Sequence, residues 1–277
     1  MKIGLVTDST SDIPRDLVEK HGIEVVPAIL NLGTSSFLDG EGITREAFYD
    51  YLPRLTITPT TAAPSVGSFQ DRYEKLLTAG SEKIISIHPP EKLSGIFNAA
   101  RLAAEAFGNK VLVLDSGQLS LGLGFQVLAA AEAIAREPVF GEILELIQSI
   151  QKRVRVLALL DTMEYLRRSG RVSWAKAIVG GLLNIKPVIE LRFGVIERIG
   201  QVRTRAQGVQ RLFDNIQNWQ PLDRLAILHT NAEAAARQLL EDLNPNTKMP
   251  ALVVNITTVV GTHVGPNGLG IAAVPKS

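Results

Sequence analysis

Over its first half the chain alternates short apolar runs with longer segments of helical periodicity, and that rhythm constrains the fold more than any other feature. Lys2–Thr7, Glu24–Leu30, Lys83–Ile87 and Lys110–Leu114 read as strands. Between them, helices are predicted from Pro14 to about His21, from Arg45 (capped by Thr44) to about Arg54, and from Ser65 to about Thr78. The clearest helix carries Leu93, Ile96, Phe97, Ala100, Ala103, Ala104 and Phe107 on one stripe. Two more follow, an Ala- and Leu-rich segment over Ser120–Arg136 and another from Phe140 to about Val154. Strand after helix after strand predicts an α/β layer built on a mostly parallel sheet with flanking helices.

From Arg155 the order loosens. Val156–Leu160 reads as a strand, Thr162–Arg168 and Trp174–Leu183 as helices, and Lys186–Leu191 with Val195–Ile199 as a hairpin turning at Phe193-Gly194. Helices over Arg205–Asn218 and Ala232–Leu243 alternate with strands at Leu225–His229, Ala251–Thr257 and Leu269–Val274. This predicts an α/β protein of two lobes, an N-terminal one over 1–154 and a C-terminal α+β one over 155–277, with a ligand between them.

Composition narrows the chemistry. With no cysteine among 277 residues, disulfide scaffolds, thiolate-held metals and thiol nucleophiles are excluded, and a reducing compartment is expected. The four histidines lie far apart, so no metal site is expected. The chain opens directly on a strand-like run, without a leader pattern. Its longest stretch free of charge, Met249–Pro275, is broken by Pro250, Gly261, Gly265, Pro266 and Gly268, and reads as strand, loop, strand rather than a membrane span. A cytoplasmic protein without stable membrane insertion is the expectation. Net charge is +1, yet Lys152–Arg211 holds 13 Lys and Arg against 4 Asp and Glu. That excess fits either solvated helix faces or a surface for phosphate or an acidic partner. With three aromatics in the segment and no recognised module, nucleic acid is not expected as a partner.

Three hydroxyl-bearing junctions share one position, between a strand and the helix after it: Asp8-Ser9-Thr10, Thr60-Thr61 ahead of Ser65, and Ser94-Gly95. Open α/β sheets bind ligands at the carboxyl ends of their strands, where helix N-termini favour anions. Ordinary helix capping explains any one of them equally well. Asp8 also occupies the nucleophile position of some phosphotransferases, which leaves a metal-dependent hydrolase or phosphotransferase centred on Asp8 as the alternative function. His263 lies in a glycine-rich segment, Gly261 to Gly270, where a ligand can approach the main chain closely. Arg167, Arg168 and Arg171 flank the turn at Gly170, and Arg203 lies near a strand end; guanidinium groups suit phosphate and carboxylate.

The opening Val6-Thr-Asp-Ser-Thr-Ser-Asp-Ile-Pro14 resembles that of the DegV family. The resemblance continues through Pro59-Thr-Thr-Ala-Ala-Pro-Ser65, Leu93-Ser-Gly95, Asp115-Ser116, the Leu160–Arg171 block, Lys186-Pro187, Arg203 and His263-Val-Gly-Pro266. It implies a protein that holds one long-chain fatty acid, such as palmitate, stearate or oleate, in a buried tunnel and has no catalysis or other cofactor of its own. It further implies that the carboxylate is presented to the ATP-dependent catalytic subunit of a fatty acid kinase, which makes an acyl phosphate for phospholipid synthesis. By the same resemblance Thr61, Ser94 and His263 bind the carboxylate, and Arg203, Arg167, Arg168 and Arg171 contact the acyl phosphate or the kinase. Ala62 and Ala63 depart from the family's usual Ser-Gln, which implies a thinner polar network around the head group. Burial of roughly 15 methylene groups, at about 0.8 kcal/mol each, is worth on the order of 12 kcal/mol, so the tail dominates affinity and the head group sets orientation.

Overall fold

The computed structural model describes residues 1–136, 139–176, 185–245 and 247–276. In chain order the first half comprises β1 (Ile3–Asp8), α1 (Arg15–His21), β2 (Glu24–Val26), β3 (Ile29–Leu32), β4 (Ser35–Leu38), α2 (Arg45–Tyr51) and β5 (Thr60–Ala62). It continues with α3 (Val66–Thr78), β6 (Lys83–His88), α4 (Ile96–Ala104), β7 (Val111–Asp115), α5 (Leu121–Ile134) and α6 (Phe140–Arg153). The second half begins with β8 (Arg155–Leu159), α7 (Glu164–Ser169), α8 (Ser173–Lys176), β9 (Lys186–Arg192), β10 (Val195–Val202) and α9 (Arg205–Trp219). It ends with β11 (Leu222–His229), α10 (Glu233–Leu243), β12 (Leu252–Asn255), α11 (Thr258–Val264) and β13 (Leu269–Pro275).

Three sheets result. The parallel one has the order β2-β1-β6-β7, as the strand–helix rhythm predicts. The second is mixed, β10-β9-β8-β13-β11-β12, antiparallel except where β12 joins β11. The β9–β10 hairpin turns at Phe193 and Gly194, both at positive φ, as a two-residue hairpin loop requires. Helix α5 is buried along most of its length and packs against β1 and β6 on one side and β13 on another. A helix apolar all round belongs between two layers. At Gly122 a Cβ would stand 2.5 Å from Val156 Cγ2, so only glycine allows this close approach of α5 to β8. One apolar core runs from Ile3, Leu5 and Ile85 through α5 to Val156, Leu191 and Val274.

Two sequence expectations are corrected. Glu24–Leu30 is not one strand: Pro27, which has no N–H to give a ladder, separates β2 in the parallel sheet from β3 in a small antiparallel sheet, β4-β3-β5. The stretch around His263 is not a loop between strands but α11, started by Thr257, whose hydroxyl accepts from Val260 N at 3.3 Å, and ended at Gly265. The helix expected over Trp174–Leu183 is seen at Ser173–Lys176, and its remainder lies outside the described residues. The proposed lobe boundary at 154/155 falls between α6 and β8.

Candidate functional site

Helix α11 brings His263 to the carboxyl end of the parallel sheet, and its first turn is held from three directions. Tyr49 Oη on α2 donates to the carbonyls of Ile256 and Thr257, each at 3.1 Å. Asp12 Oδ1, just beyond β1, accepts from Thr257 N at 2.8 Å, and Thr258 Oγ1 donates to Asp39 Oδ1 at 2.8 Å. Asp12 and Asp39 are buried, and each has a second oxygen without a partner among the described residues. Burial pushes the Asp12 carboxyl up to about 7, although the neighbouring Arg45 guanidinium opposes the rise.

At its other end α11 meets β5. Thr61 Oγ1 and His263 Nε2 are 3.0 Å apart. Burial, reinforced by the Arg171 guanidinium, pushes the imidazole down to about 4, so His263 is neutral at physiological pH. Its Nδ1 is buried without a partner among the described residues. Ser94 lies immediately before α4, where its Oγ accepts from Ile96 N at 3.3 Å.

These three residues line one chamber of about 90 Å³, together with Thr10, Ser169, Arg171 and the apolar side chains of Leu119, Ile189, Val260 and Val264. The chamber adjoins a wider vestibule of about 340 Å³ formed by Ala62, Ala63, Glu91, Lys92 and Gly95, with Thr61, Ser94 and Arg171 among the residues in both walls. Inward it adjoins a second chamber of about 90 Å³, with Leu119, Ile189, Ile196, Val260 and Val264 in both walls. The inner chamber continues between Val156, Ala158, Leu160, Leu191, Leu228 and Leu269, a hydrocarbon surface. The whole is a throat of mostly apolar wall carrying a few polar side chains, between a wider, more polar mouth and an apolar chamber.

The structure thus gathers Thr61, Ser94, His263 and Arg171 at one place. Arg167 and Arg168 are exposed on α7, which packs against α11, and Arg168 pairs with Glu164. Arg203 lies elsewhere, in an open groove of about 650 Å³ with Gln207, Gln210, Arg211 and Asp214, and that groove shares no residue with the throat. The alternative centre at Asp8 has no room to react. Its carboxylate is buried, with Oδ1 accepting from both the N–H and the hydroxyl of Thr10 and Oδ2 held 2.7 Å from His88 Nδ1. His88 continues to Ser86 at 2.6 Å and Ser86 to Tyr73 at 2.9 Å, a buried polar chain behind the throat. Among the described residues no group of three His, Asp or Glu could hold a metal ion, and no helix is long and apolar enough to cross a membrane. Sequence reasoning passed over Ser169 and the Asp12–Asp39 support of α11; neither carries a local signal, because only the folded chain brings them to α11 and the throat.

The family model "Uncharacterised protein, DegV family" matches residues 2–276. A DegV domain-containing protein of Caldanaerobacter subterraneus subsp. tengcongensis is 32% identical over 276 residues, covering 98% of each chain. Among solved structures, a fatty-acid-binding DegV family protein of Thermus thermophilus superposes with a TM-score of 0.91 at 32% identity over 100% of both chains. DegV of Bacillus subtilis, described as a fatty acid binding protein, gives 0.87 at 30% identity, again over 100% of both.

Proposed function

The chain belongs to the DegV family, and from that premise we propose that it binds one long-chain fatty acid, head group in the throat and tail in the inner chamber. The observation that carries this reading is the adjacency of a cluster of neutral polar groups, Thr61, Ser94 and His263, to a chamber of mostly hydrocarbon wall that shares five lining residues with theirs. Among the described residues the inner chamber's lining holds no Asp, Glu, Lys or Arg, and apart from Ser120, His229 and Thr230 its side chains are apolar, which suits an alkyl tail. Thr61, Ser94 and His263 orient the carboxyl group, and the fatty-acid-binding relatives of similar fold support the assignment. Palmitate, stearate and oleate are the expected ligands. Titration with a fluorescent fatty acid tests it: His263→Ala should weaken binding several-fold, as should Thr61→Val. Wild-type affinity in both variants would remove the throat from the account.

The finer part of the proposal is a carrier that is no enzyme by itself and works in the cytoplasm, supplying phospholipid synthesis. It presents the head group to the catalytic subunit of an ATP-dependent fatty acid kinase. Arg171 at the mouth, with Arg167 and Arg168 on the adjoining helix, offers positive charge where an acyl phosphate and an acidic partner would meet it. Arg203, in its separate groove, is assigned to the partner rather than to the head group. Arg203→Ala should therefore lower phosphorylation of the bound acid while leaving its affinity unchanged. Equal phosphorylation by the variant and the wild type would end that role.

A further inference from the structure

Helix α5 starts beside the inner chamber, and its far end borders a separate cleft of about 180 Å³. The cleft is walled by Glu132 of α5 and Arg136 just beyond it, Arg153 of α6, Asp223 and Arg224 at the start of β11, and Lys248 ahead of β12. It shares no lining residue with the throat, the vestibule or the inner chamber. The 14 residues of α5, at about 1.5 Å each, put roughly 20 Å between its two ends. Ala133, Leu146, Ile150 and Val274 give the cleft an apolar floor. Its volume is close to that of a cavity that holds one benzene ring, about 150 Å³.

Four cationic side chains meet two carboxylates in this lining, and both carboxylates are already engaged. Glu132 accepts from Arg224 Nη1 at 3.0 Å and Nη2 at 2.6 Å, a two-pronged pair. Asp223 Oδ2 accepts from Arg153 Nη1 at 2.8 Å; the same guanidinium donates to the carbonyls of Pro275 at 2.5 Å and Ser149 at 3.3 Å. Arg224 also lies over the Phe125 ring, 6.0 Å from its centre. These contacts fix two mostly buried guanidinium groups before any ligand arrives, while Arg224 Nε and Arg153 Nη2 have no partner among the described residues and are not sealed from solvent. Arg136 and Lys248 are exposed at the rim and pair with no acid among the described residues. Two positive charges are therefore left uncompensated in a concave, partly apolar site, where a field is focused.

We propose that this cleft is a second ligand site, built for a small soluble phosphate monoester whose organic part is no larger than one ring. The phosphate dianion carries the two negative charges that the lining lacks, and its oxygens accept from Arg136, Lys248 and the unspent N–H groups of Arg153 and Arg224. The organic part lies on Ala133, Leu146, Ile150 and Val274. A carboxylate of the same size brings one charge and meets fewer of these donors. The inference stands apart from the fatty-acid reading, because no residue is common to the two sites.

Calorimetric titration of the full chain with phenyl phosphate tests the proposal. Saturable binding at a single site is expected, tighter than for inorganic phosphate or benzoate, with no heat from phenol. Affinity should fall as the phosphate gains its second proton below about pH 6. The double variant Arg136→Gln, Lys248→Gln should bind phenyl phosphate at least tenfold more weakly, with an unchanged melting temperature because both side chains are exposed. Palmitate added beforehand should leave the titration unaltered. Absence of saturable binding, or wild-type affinity in the double variant, overturns the proposal and leaves fatty-acid binding intact. Displacement of phenyl phosphate by palmitate also overturns it, since the phosphate would then lie at the throat or its mouth. Equal affinity for inorganic and phenyl phosphate overturns the part assigned to the apolar floor.

Discussion

Replacing Asp12 by asparagine should flatten part of the protein's pH–stability curve. Asp12 is 2% exposed, its Oδ1 takes the Thr257 N–H and lies 3.4 Å from Arg45 Nη1, and its Oδ2 has no partner among the described residues. Its carboxyl is raised from 3.8 to about 7, so the folded chain binds this proton more tightly than the unfolded one. The sign follows from linkage: the contribution is fully present below about pH 3.8 and is lost as pH rises through about 7. Each pH unit between those values is worth about 1.4 kcal/mol, a total of about 4 kcal/mol. Asparagine keeps the carbonyl that accepts from Thr257 and cannot titrate. Urea unfolding of both proteins at closely spaced pH values should show the wild type losing about 4 kcal/mol relative to Asp12→Asn between about pH 4 and pH 7. His263 acts in the opposite sense, its stability falling as pH drops from 6.5 through about 4, and this cancels because both proteins carry it. Parallel curves would refute the reasoning that a buried, proton-holding carboxyl anchors α11.

Other consequences can be checked as directly. A Cβ at position 261 would stand 2.1 Å from Tyr49 Oη, so Gly261→Ala should lower stability by about 1–3 kcal/mol and weaken fatty-acid binding with it, read by thermal melting and titration. Ala158 lines the inner chamber, and Ala158→Phe should shift the acids that copurify towards shorter chains, read by mass spectrometry. Asp8→Asn should cost about 1–3 kcal/mol of stability by disturbing the Thr10 and His88 contacts. Wild type should show no metal-dependent turnover of small phosphoesters; such turnover, lost in Asp8→Asn, would revive the hydrolase alternative.

What the sequence revealed follows the distance over which its signals act. The parallel sheet was legible because period and spacing are local: β1 runs into a helix, and β6 and β7 each lie between helices with an apolar face. The β9–β10 hairpin was legible from Phe193-Gly194. The small sheet was hidden because β3, β4 and β5 are three or four residues each and only pairing defines them. Helix α11 was hidden by Gly261 within it and by Gly265, Gly268 and Gly270 after it, which favour a loop until tertiary contacts from Tyr49, Asp12 and Asp39 fix its first turn. Among candidate residues, Thr61, Ser94, His263 and Arg171 converge on the throat although they span much of the chain; their grouping came from resemblance, since no spacing relates them. Residues such as Ser169 and Leu119 look like ordinary core until a cavity is seen beside them.

The central claim is that the throat and inner chamber hold a fatty acid. Mass spectrometry of the organic extract from purified, never-delipidated protein tests it most directly. The account predicts about one long-chain fatty acid per chain, lost from a variant in which Ala158 and Val156 are both replaced by tryptophan to fill the inner chamber. An empty extract, with no uptake of added palmitate or oleate, would contradict it and leave the DegV fold without its proposed ligand.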